Sequence, residues 1–574
     1  MLMLALAASL AASIAQAPAP TAAPAVAPSA TVPAFTASDR RTIAGLVGSI
    51  QEMAVRHPAR IRAWQLGESA KSRPIPGITL ASDLAAADAR PAILVVAGMD
   101  GHRWAGTETA LAAVESLAAE GPPWLGSVTV YVIPRANPDA AERFAGGPRW
   151  TQTSNDVPHD NDRDGYEDEN PPEDLDGNGV ITQIRARRTQ LPWPGPTHVA
   201  DPAEPRLLRT PDPASGVPAE FTVWTEGVDR DGDGRIAEDW TGGLDPDRNF
   251  PHDWPEFEDE SGPYPLVVPE AKAIANFVQR HRNVFAVLVL GRHDTVVKLP
   301  DPREVTAMGL PAMLQEQDLE PYAAVAKEWC EAMGQKRSSS SPTAGSLVSW
   351  LAVNRGIPAF ASTLWGRPDL PDPPAAPDGA PAKPKPTDQE AAAWLRYSDE
   401  VRGGAGFVPW KPVRHPQLKD VEVGGWVPGF RENPPIDEIV PLAGKLSGFL
   451  GKLADRRPVV NLAEPSVSQL SPGTWRITTT VTNAGKLPTV LRPARASNHV
   501  PPHTVRVSVP VSRVQAGQRV TLLRGLDPGQ EMRLEWIVVA DPTEEVSVEL
   551  ALGGDVTASW RIRGGRVERG EGPR

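Results

Sequence analysis

Short, uninterrupted apolar runs alternate with segments of helical periodicity through most of this sequence. Ala92–Ala97 (AILVVA) and Val284–Leu290 (VFAVLVL) are typical of strands buried on both faces, and Thr107–Glu120 and Pro269–His281 have helical spacing. Two further strands are predicted at Val128–Ile133 and Ile357–Ser362. The alternation predicts an α/β fold with a mixed, mostly parallel sheet flanked by helices. Because ligand sites in such sheets lie beyond the carboxyl ends of the strands, the loops that follow these strands are the predicted place for chemistry.

The pattern changes after about residue 457. Thr474–Val481 and Met532–Val538 alternate apolar and polar residues, and Asn-Ala-Gly and Asp-Pro-Gly turn signals separate such runs. Roughly 100 residues of this kind predict an immunoglobulin-like β-sandwich. We place this domain at residues 457–563, with a charged, Gly-rich tail at 564–574.

The remaining segments are predicted from their composition. Residues 1–17 form an apolar run that ends in Ala-Gln-Ala, which predicts a signal peptide and export to the periplasm or the exterior. The alternative is an Ala-rich tail without a targeting role. A Pro/Ala linker follows at 18–36, and the Pro-rich stretch 368–386 is expected to be a disordered insertion in the α/β domain, 37–456. No later run is apolar and long enough to predict a membrane span.

The charge is distributed unevenly. The formal net charge of −13 argues against nucleic acid and anionic membrane surfaces as partners. Residues 156–176 carry a net charge of −9 and residues 226–260 carry −10, so the rest of the chain is positive. The acidic excess therefore belongs to the loop region 156–260 and indicates a bound cation.

The single cysteine excludes an intramolecular disulfide and a cysteine-rich zinc site.

Three segments of that region follow the pattern D-x-D-x-[DN]-G. Alternate oxygen ligands followed by a sharply turning glycine are typical of calcium loops. The position-12 glutamate of an EF-hand is replaced by Pro171, Arg185 and Trp240, so Asp168 or a neighbouring glutamate would have to complete the shell. We expect structural Ca²⁺ sites, with ligands shared between the first two loops; the alternative is a solvated acidic loop. The predicted ligands are Asp160, Asp162, Asp164, Asp168, Asp174, Asp176, Asn178, Asp229, Asp231 and Asp233.

Several strand-end motifs occur in an order that resembles a known family. Asn137-Pro138-Asp139, Arg248-Asn249-Phe250-Pro251 and Gly356–Trp365 follow one another along the chain. In this order the motifs resemble the zinc carboxypeptidase (carboxypeptidase A-like) family over roughly residues 40–450. The resemblance implies that family's fold, and it implies a zinc ion held by His-x-x-Glu and a distal His, with a Glu as general base.

This chain departs from the family at each of those positions. His-x-x-Glu falls on Asp100–Arg103, the distal His on Gly291 and the base on Thr363. A guanidinium offers no lone pair, glycine has no ligand atom, and a threonine hydroxyl is not basic near neutral pH. We therefore expect zinc to be absent, with Arg103 paired to Asp100 in its place. One alternative is a rearranged zinc site made of Asp100, His102 and His293. Against it stands the interpretation that both histidines are loop residues without a ligand role.

The resemblance also places substrate-carboxylate binding at Arg248, where a bidentate pair would form. The residue before it is Asp247, which would repel a carboxylate and pair with Arg248 itself. We therefore predict an exported, catalytically inactive pseudopeptidase that binds a peptide or a protein partner through its remnant cleft. The alternatives are an active metallocarboxypeptidase with a rearranged ligand set, and an interaction protein whose β-sandwich carries the function.

Overall fold

The computed structural model describes residues 42–161, 163–187, 195–371, 386–496 and 499–570. The predicted signal peptide and linker, Asp162 and most of the predicted Pro-rich insertion lie outside the described residues. The chain divides into two units, residues 1–36 and 37–574, and all described residues belong to the second.

A six-stranded sheet forms the centre of the α/β domain. Its strands are β1 (Ile61–Glu68), β2 (Pro74–Leu80), β3 (Ala92–Ala97), β4 (Thr129–Ile133), β9 (Val284–Leu290) and β10 (Ala359–Ser362). They lie in the order β1-β2-β4-β3-β9-β10. The four strands from β4 to β10 are parallel, and β1 and β2 are antiparallel to their neighbours. The predicted α/β fold with a mixed, mostly parallel sheet is confirmed.

Nine α-helices occur in the described residues. They are α1 (Ile43–Arg56), α2 (Trp104–Glu120), α3 (Pro138–Gly146), α4 (Pro269–Arg280), α5 (Leu319–Met333), α6 (Leu347–Trp350), α7 (Gln389–Arg402), α8 (Ile439–Ala454) and α9 (Arg492–Arg495). The helix α3 shows how the sequence sets their starts. Asn137 caps it by accepting a hydrogen bond from the Ala140 amide, and Pro138 occupies the first turn. In the described residues, no helix has both the length and the apolarity that crossing a bilayer requires.

A second, antiparallel sheet was not predicted. Its strands β5 (Gln183–Ala186), β8 (Thr222–Thr225), β11 (Phe407–His415) and β12 (Lys419–Trp426) lie in the order β11-β12-β5-β8. A small hairpin, β6 (Val199–Ala200) and β7 (Leu208–Arg209), accompanies it. Ile184, Val421 and Val423 form part of its own apolar core. β11 and β12 form a local hairpin, but β12 pairs with β5, which lies about 240 residues earlier, and no local pattern predicts that pairing.

Two further antiparallel sheets form the C-terminal domain. One contains β13 (Val460–Leu462), β14 (Ser466–Ser471), β15 (Thr474–Asn483), β17 (Val514–Ala516) and β19 (Glu531–Val539). The other contains β16 (His503–Val507), β18 (Val520–Leu523), β20 (Glu545–Leu552), β21 (Asp555–Arg563) and β22 (Arg566–Arg569). Buried residues of both sheets, such as Trp536 and Val548, share one core, which confirms the predicted β-sandwich.

The predicted tail begins inside this sandwich. Residues 566–569 form β22, which pairs with β21 through a turn at Gly564-Gly565. Both glycines have positive φ, 55° and 82°, as a tight hairpin turn requires. The boundary at residue 563 was therefore too early, because a Gly-Gly pair between two charged runs is a hairpin signal rather than a domain end.

The β-sandwich packs against the α/β domain through α9. This helix lies on a π-helical turn, Leu351–Arg355, which leads into β10. The Leu491 amide donates to the Gly356 carbonyl at 2.9 Å, and the Arg492 amide donates to Asp318 at 3.1 Å. The second domain therefore contacts the segment immediately before the strand that ends at the candidate site.

Candidate functional site

The three departures from the family pattern lie at neighbouring strand ends. Asp100 follows β3, Gly291 follows β9 and Thr363 follows β10, and these strands are adjacent in the sheet. A Cβ added to Gly291 would lie 3.8 Å from Asp100 Oδ2. The loops therefore converge where the sequence predicted them to, and this region is called the remnant cleft below.

A guanidinium occupies the centre of the remnant cleft. Arg292 Nη1 lies 2.9 Å from Asp100 Oδ1 and 2.6 Å from Asp245 Oδ2. The three residues are 8%, 1% and 1% exposed, respectively. Such a buried cation between two carboxylates is held by strong electrostatic attraction, because little water screens it.

The pKa values of this cluster reflect burial and charge together. Burial acts to raise the pKa of Asp100, but the positive charges of Arg292 and Arg103 hold that pKa below its ordinary value. Burial raises the pKa of Asp245 in spite of Arg292. Burial acts to lower the pKa of Arg292, yet Asp245 and Asp100 raise it. The arginine is therefore a permanent cation at this place.

Arg103 contributes less than the sequence predicted. Its Nε lies 3.5 Å from Asp100 Oδ2, as an ion pair without a hydrogen bond. The expected Arg103–Asp100 pair is present, but Arg292 makes the shorter contact and also binds Asp245. The signal for Arg292 was available, since it directly follows the position of the distal histidine, Gly291.

Asp247 does not pair with Arg248, contrary to prediction. It is 2% exposed, and its Oδ2 lies 3.2 Å from His293 Nε2. Its Oδ1 accepts a hydrogen bond from the Leu347 amide at 2.8 Å. The other ring nitrogen of His293 lies 3.1 Å from the Ser341 carbonyl oxygen. The Asp247 carboxylate therefore turns into the interior, where it fixes His293 and the start of α6, and it is out of reach of the next side chain.

Arg248 is held by other carboxylates of the chain. Its guanidinium pairs with Glu258, and its Nη1 lies 3.9 Å from Glu260. The Arg248 side chain is 31% exposed, so solvent reaches this ion pair. A substrate carboxylate would have to displace Glu258 before it could bind there.

A neutral network occupies the position of the general base. The Thr363 hydroxyl accepts a hydrogen bond from Gln335 Nε2 at 2.9 Å and lies 3.2 Å from the Ser338 hydroxyl. Gln335 also accepts from Ser362 at 2.9 Å and from Trp329 at 3.1 Å. None of these side chains is a base near neutral pH, so nothing in this network could activate a water molecule.

The alternative zinc ligands are engaged elsewhere. His102 is buried, and its Nδ1 lies 3.4 Å from the Gln152 carbonyl oxygen. Burial, and then the charge of Arg103, lowers the pKa of His102. Asp100 and His293 have the partners given above. The described residues contain three groups whose ligand atoms lie close enough to share an ion, and these three groups do not include Asp100, His102 or His293.

All three groups come from the acidic loops. Asp164, Glu169 and Asp231 form one group, Asp174, Asp176 and Glu226 the second, and Asp229, Asp231 and Asp233 the third. Within each group, the ligand oxygens lie within 4.8 Å of one another. Asp231 thus joins the first loop to the third, whereas we expected the first two loops to share ligands. Glu226, which is fully buried, belongs to the second group and was not among the predicted ligands.

Several acids in these loops hold their protons unusually strongly. A hydrogen bond with Asp239, and then burial, raises the pKa of Glu169 to about 7. Burial raises the pKa of Glu238 to about 7. Lys411 Nζ lies 2.8 Å from Asp176 Oδ2 and lowers the pKa of that carboxyl against the effect of burial. The loops therefore concentrate more negative charge than their own cations balance.

Comparison with known proteins supports the predicted family. Residues 46–179 match the model of the zinc carboxypeptidase family, which confirms the resemblance predicted from the strand-end motifs. Residues 459–564 match a domain of unknown function, DUF8731. No curated protein matches the sequence.

Solved structures that match this chain have low identity to it. One is bovine thrombin-activatable fibrinolysis inhibitor in complex with tick carboxypeptidase inhibitor, with 12% identity, a TM-score of 0.37, and coverage of 72% of this chain and 95% of that chain. Another is carboxypeptidase A from Helicoverpa armigera, with 13% identity, a TM-score of 0.33, and coverage of 56% and 63%. A third is murein-tripeptide amidase from Escherichia coli O157, with 15% identity, a TM-score of 0.22, and coverage of 52% and 81%.

Proposed function

We propose that this chain, whose α/β domain carries the zinc carboxypeptidase family match, is catalytically inactive and binds a peptide or a protein partner through the remnant cleft. One observation supports this most directly. The Arg292 guanidinium bridges Asp100 and Asp245 at the point where the family's metal-binding loops converge.

The residues present do not fit a zinc ion. Zn²⁺ needs three or four nitrogen, sulfur or carboxylate donors with free lone pairs. Asp100 is the one family position that retains such a donor, and Arg292 already neutralises it. The buried guanidinium would also repel a cation at this distance. With Thr363 in place of a base, hydrolysis by the family's chemistry has neither its metal nor its proton acceptor.

The cleft margin supports binding of a ligand that lacks a free carboxylate. Glu258 and Glu260 occupy Arg248, the group that would grip a peptide C-terminus. An internal peptide segment or a folded partner needs no such contact. Recognition without hydrolysis then requires only the shape of the remnant cleft and its polar wall at Ser338 and Thr363.

A zinc measurement tests the inactive state. Purified protein, kept in calcium so that the acidic loops are saturated, is expected to hold far less than one zinc per chain and to leave C-terminal peptide bonds intact. One full equivalent of zinc that disappears in both His102→Ala and His293→Ala would overturn the proposal in favour of a rearranged metallopeptidase. Peptide turnover that a chelator abolishes would do the same.

A displayed library of random peptides tests the binding function. Peptides selected on the wild-type protein are expected to lose binding to Ser338→Trp, which adds bulk to the cleft wall. The matched control is Ser471→Trp on the exposed strand β14 of the sandwich. If selected peptides bind both variants equally, the remnant cleft is not their site.

The acidic loops support a second proposal, in which a metal has a structural role. We propose that the three carboxylate groups bind Ca²⁺, because their oxygens converge to within 4.8 Å and like charges so close repel one another without a cation. The ion would join the loops to one another and take no part in peptide recognition.

Export follows from the N-terminal pattern and is likewise a proposal. Cleavage after the Ala-Gln-Ala motif would make Pro18 the first residue of the mature protein. Sequencing the N-terminus of protein recovered outside the cytoplasm checks this. Recovery of the intact chain, starting at Met1, from the cytoplasm alone would contradict it.

A further inference from the structure

A cavity of about 280 Å³ lies far from the remnant cleft. It opens between β1 and the last turn of α4, and β2 and β4 contribute its floor. Arg62 stands at the start of β1, and α4 ends at Arg280 just before β9 begins. The cavity is therefore at the amino end of the parallel strands, whereas the remnant cleft is at their carboxyl end.

Aromatic rings form one wall of this cavity. Trp64 and Phe277 stack with centroids 5.0 Å apart and an interplanar angle of 6°, and Tyr131 meets Phe277 edge-on at 5.3 Å. Trp64 is fixed in place, since its Nε1 donates to Thr79 Oγ1 at 3.0 Å. The ring also lies so close to Gly77 that a Cβ there would come within 2.4 Å of it. The wall is thus apolar and held in one orientation, and the stacked rings of Trp64 and Phe277 face each other.

The mouth of the cavity is basic. Arg62, Arg280 and His281 line it, and the residues that line the cavity include no acid. Asp88, which lies outside the lining, accepts a hydrogen bond from Tyr131 at 2.6 Å and pairs with Arg62 at 3.4 Å. Asp88 therefore neutralises part of the charge of Arg62 and leaves the charge of Arg280 unaffected.

Arg280 supplies the charge that remains. Its Nε donates to the Asn276 carbonyl at 3.2 Å within α4, and none of the described carboxylates forms an ion pair with it. Its two terminal nitrogens can therefore donate in parallel to an incoming carboxylate. His281 stacks on Phe277 at 3.8 Å and places a second polar group beside the same rings.

We propose that this cavity binds a small apolar carboxylate. The apolar part of the ligand would lie in the aromatic-lined cavity, and its carboxylate would receive hydrogen bonds from Arg280. An apolar wall beside a paired donor selects for both features at once, and a neutral or cationic analogue satisfies only one of them.

Calorimetric titration of the full chain with 2-naphthoate tests the proposal. We expect one site with a dissociation constant on the order of 0.1–1 mM. Arg280→Glu should weaken binding at least about tenfold, and so should replacing the ligand by 2-naphthamide. Arg561→Glu, which reverses an exposed arginine on β21 of the sandwich, should leave binding unchanged.

Three results would overturn the proposal. The first is the absence of saturable 2-naphthoate binding up to 10 mM (roughly ten times the weakest constant expected). The second is equal binding of the acid and the amide. The third is equal binding by wild type and Arg280→Glu when both have the same melting temperature. Because Arg280 is exposed and lies outside the remnant cleft, this result is independent of peptide binding by that cleft.

Discussion

Arg292 shows how a single side chain can take over the electrostatic role of a bound ion. Asp100 and Asp245 are buried, and two buried carboxylates need a nearby positive charge. The Arg292 guanidinium supplies that charge, and Arg292 directly follows Gly291 in the chain. From the sequence, the loss of the zinc ligands could be predicted position by position. The identity of the replacing group could not, because Arg103 and Arg292 are equally good candidates until the loops are placed.

Removing this charge should unfold the protein more readily. Arg292→Met leaves Asp100 and Asp245 buried without a full counter-charge, and we expect it to lower the free energy of unfolding by about 3–5 kcal/mol. Urea denaturation measures this. Arg303→Ala, which breaks the exposed pair with Asp301, should leave stability nearly unchanged. Equal stability of Arg292→Met and wild type would show that Arg292 is not an essential partner of these carboxylates.

His503 should make the sandwich sensitive to acid. Burial, and then the charge of Arg495, lowers its pKa to about 4. The unfolded chain therefore binds a proton to this ring at a higher pH than the folded chain, so stability is lost as pH falls from about 6.5 towards 4. By pH 5 the loss should reach about 2 kcal/mol.

The His503→Asn variant isolates this effect. In the wild-type chain the Gly553 amide donates a hydrogen bond to His503 Nδ1 at 3.2 Å. The asparagine side chain keeps an acceptor for this amide but does not titrate. The difference in unfolding free energy between variant and wild type should therefore shift in favour of the variant between pH 7 and pH 5. A difference that does not change over this interval would contradict the prediction.

At the scale of elements, the accuracy of prediction depended on whether a signal was local. The buried strands β3 and β9 have the predicted ends, because an uninterrupted apolar run can hardly be accommodated elsewhere than in the centre of a parallel sheet. The sheet of β5, β8, β11 and β12 was not predicted, and its central pairing joins β12 to β5, which lie far apart in sequence. The acidic loops lie between these cases: their pattern was visible, and the contact between the first and third loops was not.

The acidic loops should respond to calcium and to pH together. Glu169, a member of the first carboxylate group, has a pKa of about 7 in the folded chain and an ordinary value near 4.5. Without a metal, the folded state holds a proton that the unfolded state releases, so stability from this group is lost as pH rises from about 4.5 towards 7. Ca²⁺ competes with such protons. Its stabilising effect should therefore be larger at pH 8 than at pH 5.5.

Melting curves with and without Ca²⁺ at the two pH values measure this effect. A rise of several degrees at pH 8, with millimolar Ca²⁺ well above the dissociation constant, is the expected result. Asp231→Asn should reduce the rise, since Asp231 belongs to two of the groups. Asp420→Asn, an exposed acid paired with Arg414, should not. If chelated protein melts at the same temperature with and without Ca²⁺, the loops are not structural calcium sites.

At the scale of the whole molecule, Gly356 connects the two domains. Its φ is +67°, and an added Cβ would come within 2.4 Å of Val490 Cγ1 and 2.9 Å of Ala494 Cβ in the sandwich. Gly334 is a matched case, since it also follows a helix with φ near +71° but has open space around it. Both glycines are there for their left-handed backbone, but only Gly356 is also closed in by the other domain.

The two glycines should therefore differ when they are replaced. Gly334→Ala is expected to cost about 1 kcal/mol, the strain of a left-handed alanine. Gly356→Ala adds a steric clash and should cost about 1–3 kcal/mol more, as measured by urea unfolding. It should also separate the unfolding of the sandwich from that of the α/β domain. Equal costs for the two variants would mean that the contact through α9 contributes nothing to the joint stability of the domains.

The Arg292 bridge has a consequence for any attempt to build a zinc site into this region. A bound ion exchanges with solution, whereas the positive charge here is part of the chain itself. Converting Asp100, Arg103, Gly291 and Thr363 to the family residues would still leave a cation in the way. Such a design has to begin with Arg292, and that first step removes the counter-charge of two buried acids. The route to a zinc site by single substitutions therefore passes through a less stable intermediate.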